Sequence, residues 1–379
     1  MFLIERIIGV SIFLLSLIII SHFIGKCSNV IETKKYFIIY LIIIFFMGYF
    51  YCQYKTADLD YIKNLINTNL KYKNFYEMID MVASLRFQIY YFYYWIFGKI
   101  GDVNLLPAIT GFWFYANIFY ILYKSSTKFN ISSKSMSRAL LFFMAGGQFL
   151  EVISGIKSML ALSIVAVCCF REFVEDKSFI LDLPLYLFAA LMHDAALIAV
   201  GFRLGYLILQ KENRTILKAR NVAVLLAFAF FAFKYGGEII AGATSKAQGY
   251  ISGNVYSNIW EYIIAFFCNL FMIYSMILIK KITKNDLNLK NKLHNLTKFI
   301  MYLLVFDGIF IFEYSIYQRY RTFIMMLILP IIAILLEKSK NKENPVLSKY
   351  YLRFQFFFFF TMGLSLIRGN LSSLKFFEL

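Results

Sequence analysis

The sequence predicts an all-α, polytopic membrane protein of about twelve transmembrane helices, a single domain over residues 1–379. Three observations predict it. Hydrophobic residues make up 60% of the chain, where soluble domains hold about 45–50%, so the excess needs lipid as its solvent. Apolar runs of about 20 residues, enough to cross a hydrocarbon core about 30 Å thick, recur from one end to the other. The net charge of +17 falls into short lysine-rich connectors that alternate with those runs. That is the positive-inside pattern of a membrane protein, and no nucleic-acid partner is needed to explain it.

The first run, 7–24, is long for a secretory leader and no small-residue cleavage site follows it before Lys34, so it reads as an uncleaved span. If the basic connectors around Lys26–Lys35, Lys124–Arg138, Lys211–Arg220, Lys280–Lys298 and Lys338–Arg353 all face the cytoplasm, an even number of crossings separates each from the next. The spans then fall near 7–24, 36–52, 105–123, 139–153, 155–171, 179–193, 195–209, 221–236, 258–280, 296–314, 318–336 and 349–367, with both termini outside. Residues 53–104 form one long outer loop. Within it, 87–100 is too short to span and dense in Tyr and Trp, which places it at the interface as a re-entrant or surface helix. Two hairpins hinge at Ser154-Gly155 and at His193-Asp194, where broken helices line a cavity. The 5 cysteines have no metal-like spacing and read as small buried hydrophobes.

Charges at membrane depth cost about 2.5–3.5 kcal/mol each on insertion scales and are functional candidates by default. Under this topology they gather at the outer ends of spans: Gln148, Glu151, Lys157, His193, Asp194, Glu313, Arg319 and Arg321, with Asp307 deeper. Asp58 and Asp60 open the outer loop. Arg319 and Arg321 fall in a tight external turn against the positive-inside trend, where a guanidinium fork suits phosphate or diphosphate. Pairing of these arginines with Glu313 or Asp307 is the structural alternative. His193 has the titration range of a base for a sugar hydroxyl, with Asp194 as its orienting partner or as the base itself, while a hydrogen-bonded helix break explains it equally well. Asp58 and Asp60 would not share a helix face. They suit a divalent cation, a sugar hydroxyl or plain solvation. Tyr90, Tyr91, Tyr93, Tyr94 and Trp95 suit sugar stacking or interface anchoring. No P-loop, dinucleotide fingerprint or zinc-protease motif is present.

Residues 154–164 (SGIKSMLALSI) resemble the sG-I-R-Q-x-x-A-x-x-I signature of EpsG-like, Wzy-type polysaccharide polymerases. Residues 191–198 (LMHDAALI) are similar to that family's L-x-H-x-S-A-L-I stretch. Asp58-Leu-Asp-Tyr61 resembles its D-x-x-Y, Glu77 stands near its E-P-G segment without the Pro and Gly, and Gln318-Arg319-Tyr320-Arg321 fits its basic turn. Lys157 replaces the signature Arg, Ser158 the Gln and Ala195 the Ser. Lysine keeps the charge but gives up the bidentate fork.

The resemblance implies a GT-C-like membrane polymerase that joins undecaprenyl-diphosphate-linked oligosaccharide repeat units for O-antigen, capsule or exopolysaccharide. The reaction would occur at the outer face of the cytoplasmic membrane. The site then expected has His193, Asp194 and Glu151 for catalysis. Lys157, Arg319 and Arg321 bind the diphosphate, and Asp58, Asp60, Tyr61 and Gln318 bind sugar. Neither metal nor cofactor is called for. Expected partners are the lipid-linked donor and acceptor, the bilayer and a chain-length regulator. A flippase for the same lipid, for which Asp307 is the best support, and a transferase adding one group are the rival expectations.

Overall fold

A computed structural model describes residues 2–51, 58–84, 88–146, 149–209, 259–284, 286–309, 314–340, 345–367 and 374–376. Everything described is helix, turn or coil, with no strand among the described residues. The expected span 221–236, together with Gln148 and Glu313, lies outside them. The helices are α1 (Phe2–Lys26), α2 (Thr33–Tyr49), α3 (Asp58–Thr68), α4 (Phe75–Ser84), α5 (Tyr90–Ile100), α6 (Leu105–Phe129), α7 (Ser133–Gly146) and α8 (Phe149–Ser154). They continue as α9 (Ile156–Phe173), α10 (Phe179–Met192), α11 (Asp194–Leu209), α12 (Ile259–Thr283), α13 (Leu287–Ile309), α14 (Tyr314–Lys338) and α15 (Pro345–Ile367). Five of them, α1, α6, α12, α14 and α15, are long and apolar enough to cross a membrane. This is a membrane protein.

Helix α14 is the axis of the bundle. Of its apolar span 94% is buried, against 28% for α15, and it packs on α6, α7, α9, α12, α13 and α15. Helix α15 instead exposes Leu352, Phe356 and Phe359, the side chains that lipid would solvate. The chain direction follows from polar ties. Asn117 Nδ2 donates to Ser163 Oγ at 2.9 Å and Tyr120 Oη to Glu175 Oε2 at 2.6 Å, so α6 and α9 run in parallel. The α6–α7 turn, with Asn130 left-handed at φ 52°, is fastened to the far end of α14. There the Ser132 backbone N–H and hydroxyl both donate to Glu337 Oε2, at 2.9 and 2.6 Å.

That far end gathers the bases, and it explains the acid-rich connector after α9. Glu175 pairs with Lys124 at 3.6 Å and Asp176 with Lys128 at 2.9 Å, while Arg171 reaches Asp182 on α10 at 2.9 Å. Deeper in, Arg203 of α11 holds Glu172 of α9 at 2.5 Å with both side chains buried, and Tyr186 of α10 donates to the same carboxylate at 3.0 Å. Three helices share one buried ion pair.

Several expected boundaries move. The stretch 53–104 holds more helix than expected: α5 is the helix expected near 87–100, and α3 and α4 occupy most of the rest that is described. Its amphipathic patterning explains this, with Leu59, Ile62 and Ile66 buried on α3 and Tyr90, Tyr94 and Phe97 buried on α5, spacings that put each set on one face. Glu77 and Asn74 cap α4 reciprocally, each backbone N–H donating to the other's side chain at 2.8 and 2.9 Å. That capping box is the role the structure shows for Glu77. Helix α13 starts nine residues ahead of the expected span, at Leu287, because Leu289, Leu293 and Leu296 give the basic stretch a buried apolar face. Cys168, Cys169 and Cys268 are buried as free thiols.

Candidate functional site

At the end of the bundle opposite the Glu337–Ser132 contact, α5, α8, α9, α11 and α14 meet. Their meeting is set by two helix breaks. At Gly155, α8 gives way to α9. A Cβ there would come within 2.7 Å of the Glu151 carbonyl oxygen, which itself accepts the Gly155 N–H at 2.7 Å. A larger residue would force the two short helices apart. At His193, α10 ends in extended backbone (φ −162°, ψ 141°), and α11 starts. The His193 ring caps the new helix, Nδ1 accepting the Ala195 N–H at 3.0 Å, while its carbonyl accepts from Ala196 and Leu197. This break is held on both sides. Ile89 N–H donates to the Leu191 carbonyl at 3.1 Å, and Tyr320 Oη of α14 donates to the Ala195 carbonyl at 2.9 Å.

A cavity of about 230 Å³ opens between these elements. Asp58, Tyr61, Tyr90, Tyr91, Tyr94, Gly155, Lys157, His193 and Arg319 are among the residues lining it. It is smaller than the usual ligand pocket of about 300–1,000 Å³. Among the described residues Asp58 is the one carboxylate in its wall, and Lys157 and Arg319 supply two cations. Lys157 stands in the first turn of α9, the positive end of that helix's dipole, where a cation is unfavourable without an anion to meet. Its ammonium lies 4.1 Å over the Tyr90 ring. Burial, together with the neighbouring tyrosines, pushes the Tyr90 and Tyr94 hydroxyls above their ordinary range, so both stay neutral donors. Tyr94 is 1% exposed and its Oη has no hydrogen-bond partner among the described residues. A buried orphan hydroxyl on a cavity wall is what a ligand oxygen would satisfy.

The two arginines part company, and the remaining expected site residues stand elsewhere. Arg319 and Arg321 are not in an external turn. Both belong to the opening turns of α14, and two residues along a helix turn a side chain by about 200°. Arg319 therefore lines the cavity, while Arg321 is completely buried among Glu151, Asp307 and Cys268. Buried Gln318 also faces Glu151. Asp307, 1% exposed, accepts from Asn269 Nδ2 at 2.8 Å, and the same amide donates to Tyr317 Oη at 2.8 Å. Glu151, Gln318 and Arg321 thus form a polar cluster one layer inside the cavity wall. Asp194 is exposed and Asp60 half-buried, and neither lines the cavity; Asp60 accepts a long bond from Asn64 at 3.4 Å.

The aromatic run is largely used in docking the outer helices. Tyr93 Oη and Thr110 Oγ1 are 2.9 Å apart, and Trp95 Nε1 donates to the Lys73 carbonyl at 2.9 Å. Burial raises the Tyr93 hydroxyl to about 12. Sequence reasoning passed over Asn269 and Arg203. Their signal was present, as polar residues inside apolar runs, but it carried no motif. Among the described residues no cluster of His, Cys, Asp and Glu has the arrangement of a metal site.

No curated protein and no solved structure matches the chain. A family model does, over residues 63–376, most of the sequence and all of the cavity wall except Asp58, Tyr61 and Ile62. The protein belongs to the EpsG family, whose members are Wzy-type polysaccharide polymerases.

Proposed function

We infer that this protein is a membrane glycosyltransferase that joins oligosaccharide repeat units carried on undecaprenyl diphosphate. The work is done in the cavity between α5, α9 and α14, on the outer face of the cytoplasmic membrane. One observation carries the reading. Asp58, Lys157, His193 and Arg319, distant in sequence, line a single cavity whose described wall holds two cations, one carboxylate and several phenols, the set that a glycosyl diphosphate and a sugar hydroxyl require. A GT-C-like bundle of about twelve spans, with the basic connectors inside, is part of the same proposal.

In this mechanism the donor's diphosphate lies against Lys157, Arg319 and the N-terminal amides of α9, which favour an anion. The acceptor hydroxyl oxygen attacks the anomeric carbon of the donor sugar. The bond from that carbon to the diphosphate oxygen breaks, and its electron pair leaves on the diphosphate. The two cations stabilise this charge as it develops. The acceptor's proton passes to Asp58, the carboxylate in the wall. In this mechanism His193 serves as a donor rather than as the base: with Nδ1 accepting from Ala195, a neutral ring carries its proton on Nε2. It would orient a sugar or phosphate oxygen. Tyr94 donates to the sugar, and Tyr61, 70% exposed, stacks at the mouth. Arg321, Glu151 and Gln318 act behind the wall by positioning α8 against α14.

The test is incubation of the purified protein with undecaprenyl-diphosphate-linked repeat units of its host, with products resolved by gel. A ladder spaced by one repeat, lost in Arg319→Ala, is expected. No extension by folded protein given its correct substrate would overturn the reading. The buried Asp307–Arg321 neighbourhood favours one rival, a flippase, since charges deep in a bundle mark transport paths. Flipping of the same lipid in liposomes without extension would establish that rival.

A further inference from the structure

A larger hollow, about 740 Å³, lies toward the other end of the bundle between α1, α7 and α15. Leu14, Ile18, Leu141, Phe358, Phe359 and Met362 make its long apolar wall, and His22, Lys26, Lys134 and Arg138 stand around it. Among the described residues no acidic one lines it. Lys26 and Lys134 are exposed, and neither has an ion-pair partner among the described residues. The Arg138 guanidinium lies over the Tyr351 ring, 3.9 Å from its centroid, a contact that favours this position before any ligand arrives.

Two of the groove walls, α1 and α7, are tied together. Ser137 Oγ of α7 donates to the Ser21 carbonyl of α1 at 2.6 Å, and Ser133 Oγ to the Asn29 carbonyl at 3.4 Å. Ser21 is 7% exposed, lines the groove, and its hydroxyl has no hydrogen-bond partner among the described residues. A buried polar atom left over inside an otherwise apolar channel marks where a ligand's polar atom sits. On the α15 side, Gly363 opens the wall: a Cβ there would meet nothing within 4 Å.

We propose that this groove is a binding site for one anionic phospholipid of the adjacent leaflet, with an acyl chain between α1 and α15 and the phosphate held by Lys26, Lys134 and Arg138. Charge complementarity selects an anion and the length of the apolar wall selects a lipid. Basic groups grouped between helices next to a bilayer recognise acidic headgroups. The site is separate from the cavity at the opposite end and does not depend on the reaction there. Its effect would be to brace α1 and α15, the two helices that bury the smallest shares of their apolar spans.

Native mass spectrometry of the detergent-purified full chain tests this with phosphatidylglycerol and phosphatidylcholine as probes. Phosphatidylglycerol should bind the wild type more tightly than phosphatidylcholine. Lys26→Ala/Lys134→Ala, two exposed positions whose loss leaves the fold intact, should erase that preference, a change of about thirtyfold. Gly363→Leu should fill the groove and weaken both lipids. Equal binding of the two lipids by the wild type, or an unchanged preference in the double variant, would overturn the proposal. So would displacement by inorganic phosphate, which would show a headgroup-only site, or by undecaprenyl phosphate at lower concentration, which would show a carrier site.

Discussion

The Lys157 ammonium lies 4.1 Å over the Tyr90 ring, joining the first turn of α9 to the outer helix α5. The contact aims a cation from the bundle at the layer that covers it. Lys157→Arg should keep the charge, the stacking and most polymer synthesis. Lys157→Ala should lower synthesis by about a hundredfold or more, the size of loss seen when one transition-state charge stabiliser is removed. Equal polymer length in wild type and Lys157→Ala, compared on a gel, would remove Lys157 from the site.

The two arginines of α14 should separate cleanly. Arg319→Ala should leave the protein folded and inactive. Arg321→Ala should destabilise it by about 3–5 kcal/mol, since the buried carboxylates beside it lose their compensating charge. Thermal unfolding in detergent distinguishes them. A stable Arg321→Ala protein would show that its surroundings do not rely on that charge.

Tyr94→Phe tests the orphan hydroxyl. Removing a buried donor that has no partner should leave stability unchanged or slightly raised. The same change should raise the KM for the lipid-linked substrate while kcat falls less. An unaltered KM would mean that no substrate oxygen reaches Tyr94.

His193 caps a helix and lines the cavity, and two substitutions divide those roles. Asparagine is among the best capping residues, so His193→Asn should keep the fold, while His193→Ala should cost about 1 kcal/mol. Both should lose synthesis. If His193→Asn polymerises normally, the ring serves only as a cap.

Orientation is open to a direct measurement. In a background lacking the five cysteines, Tyr76→Cys on α4 should react with a membrane-impermeant maleimide in intact cells. Thr127→Cys, at the far end of α6, should react only after permeabilisation. The reverse pattern would place the cavity in the cytoplasm.

The membrane class, the helical content and most helix positions were legible in the sequence. Lipid imposes a length and an apolarity on each span, and those are local properties. The breaks at Ser154-Gly155 and His193-Asp194 were legible too, because a small residue and a polar pair interrupt apolar runs there. The helix at α5 was legible from its aromatic run, whereas the amphipathic spacing on α3 was present in residues 53–104 but a connector's polarity masks it until a partner surface is known. Tertiary structure alone decided the rest. Arg319 and Arg321 look equivalent in sequence, yet helical rotation sends one to a cavity and the other into the core. Asp58, Lys157 and Arg319 meet because α9 packs on α14 and α3 packs on α5, whose Tyr90 meets Lys157, which no local pattern encodes. Helix α14 became the axis because its neighbours surround it, whereas α15, no less aromatic, was left facing outward. Local physics sets what each segment is, and only packing between distant segments sets what each side chain faces.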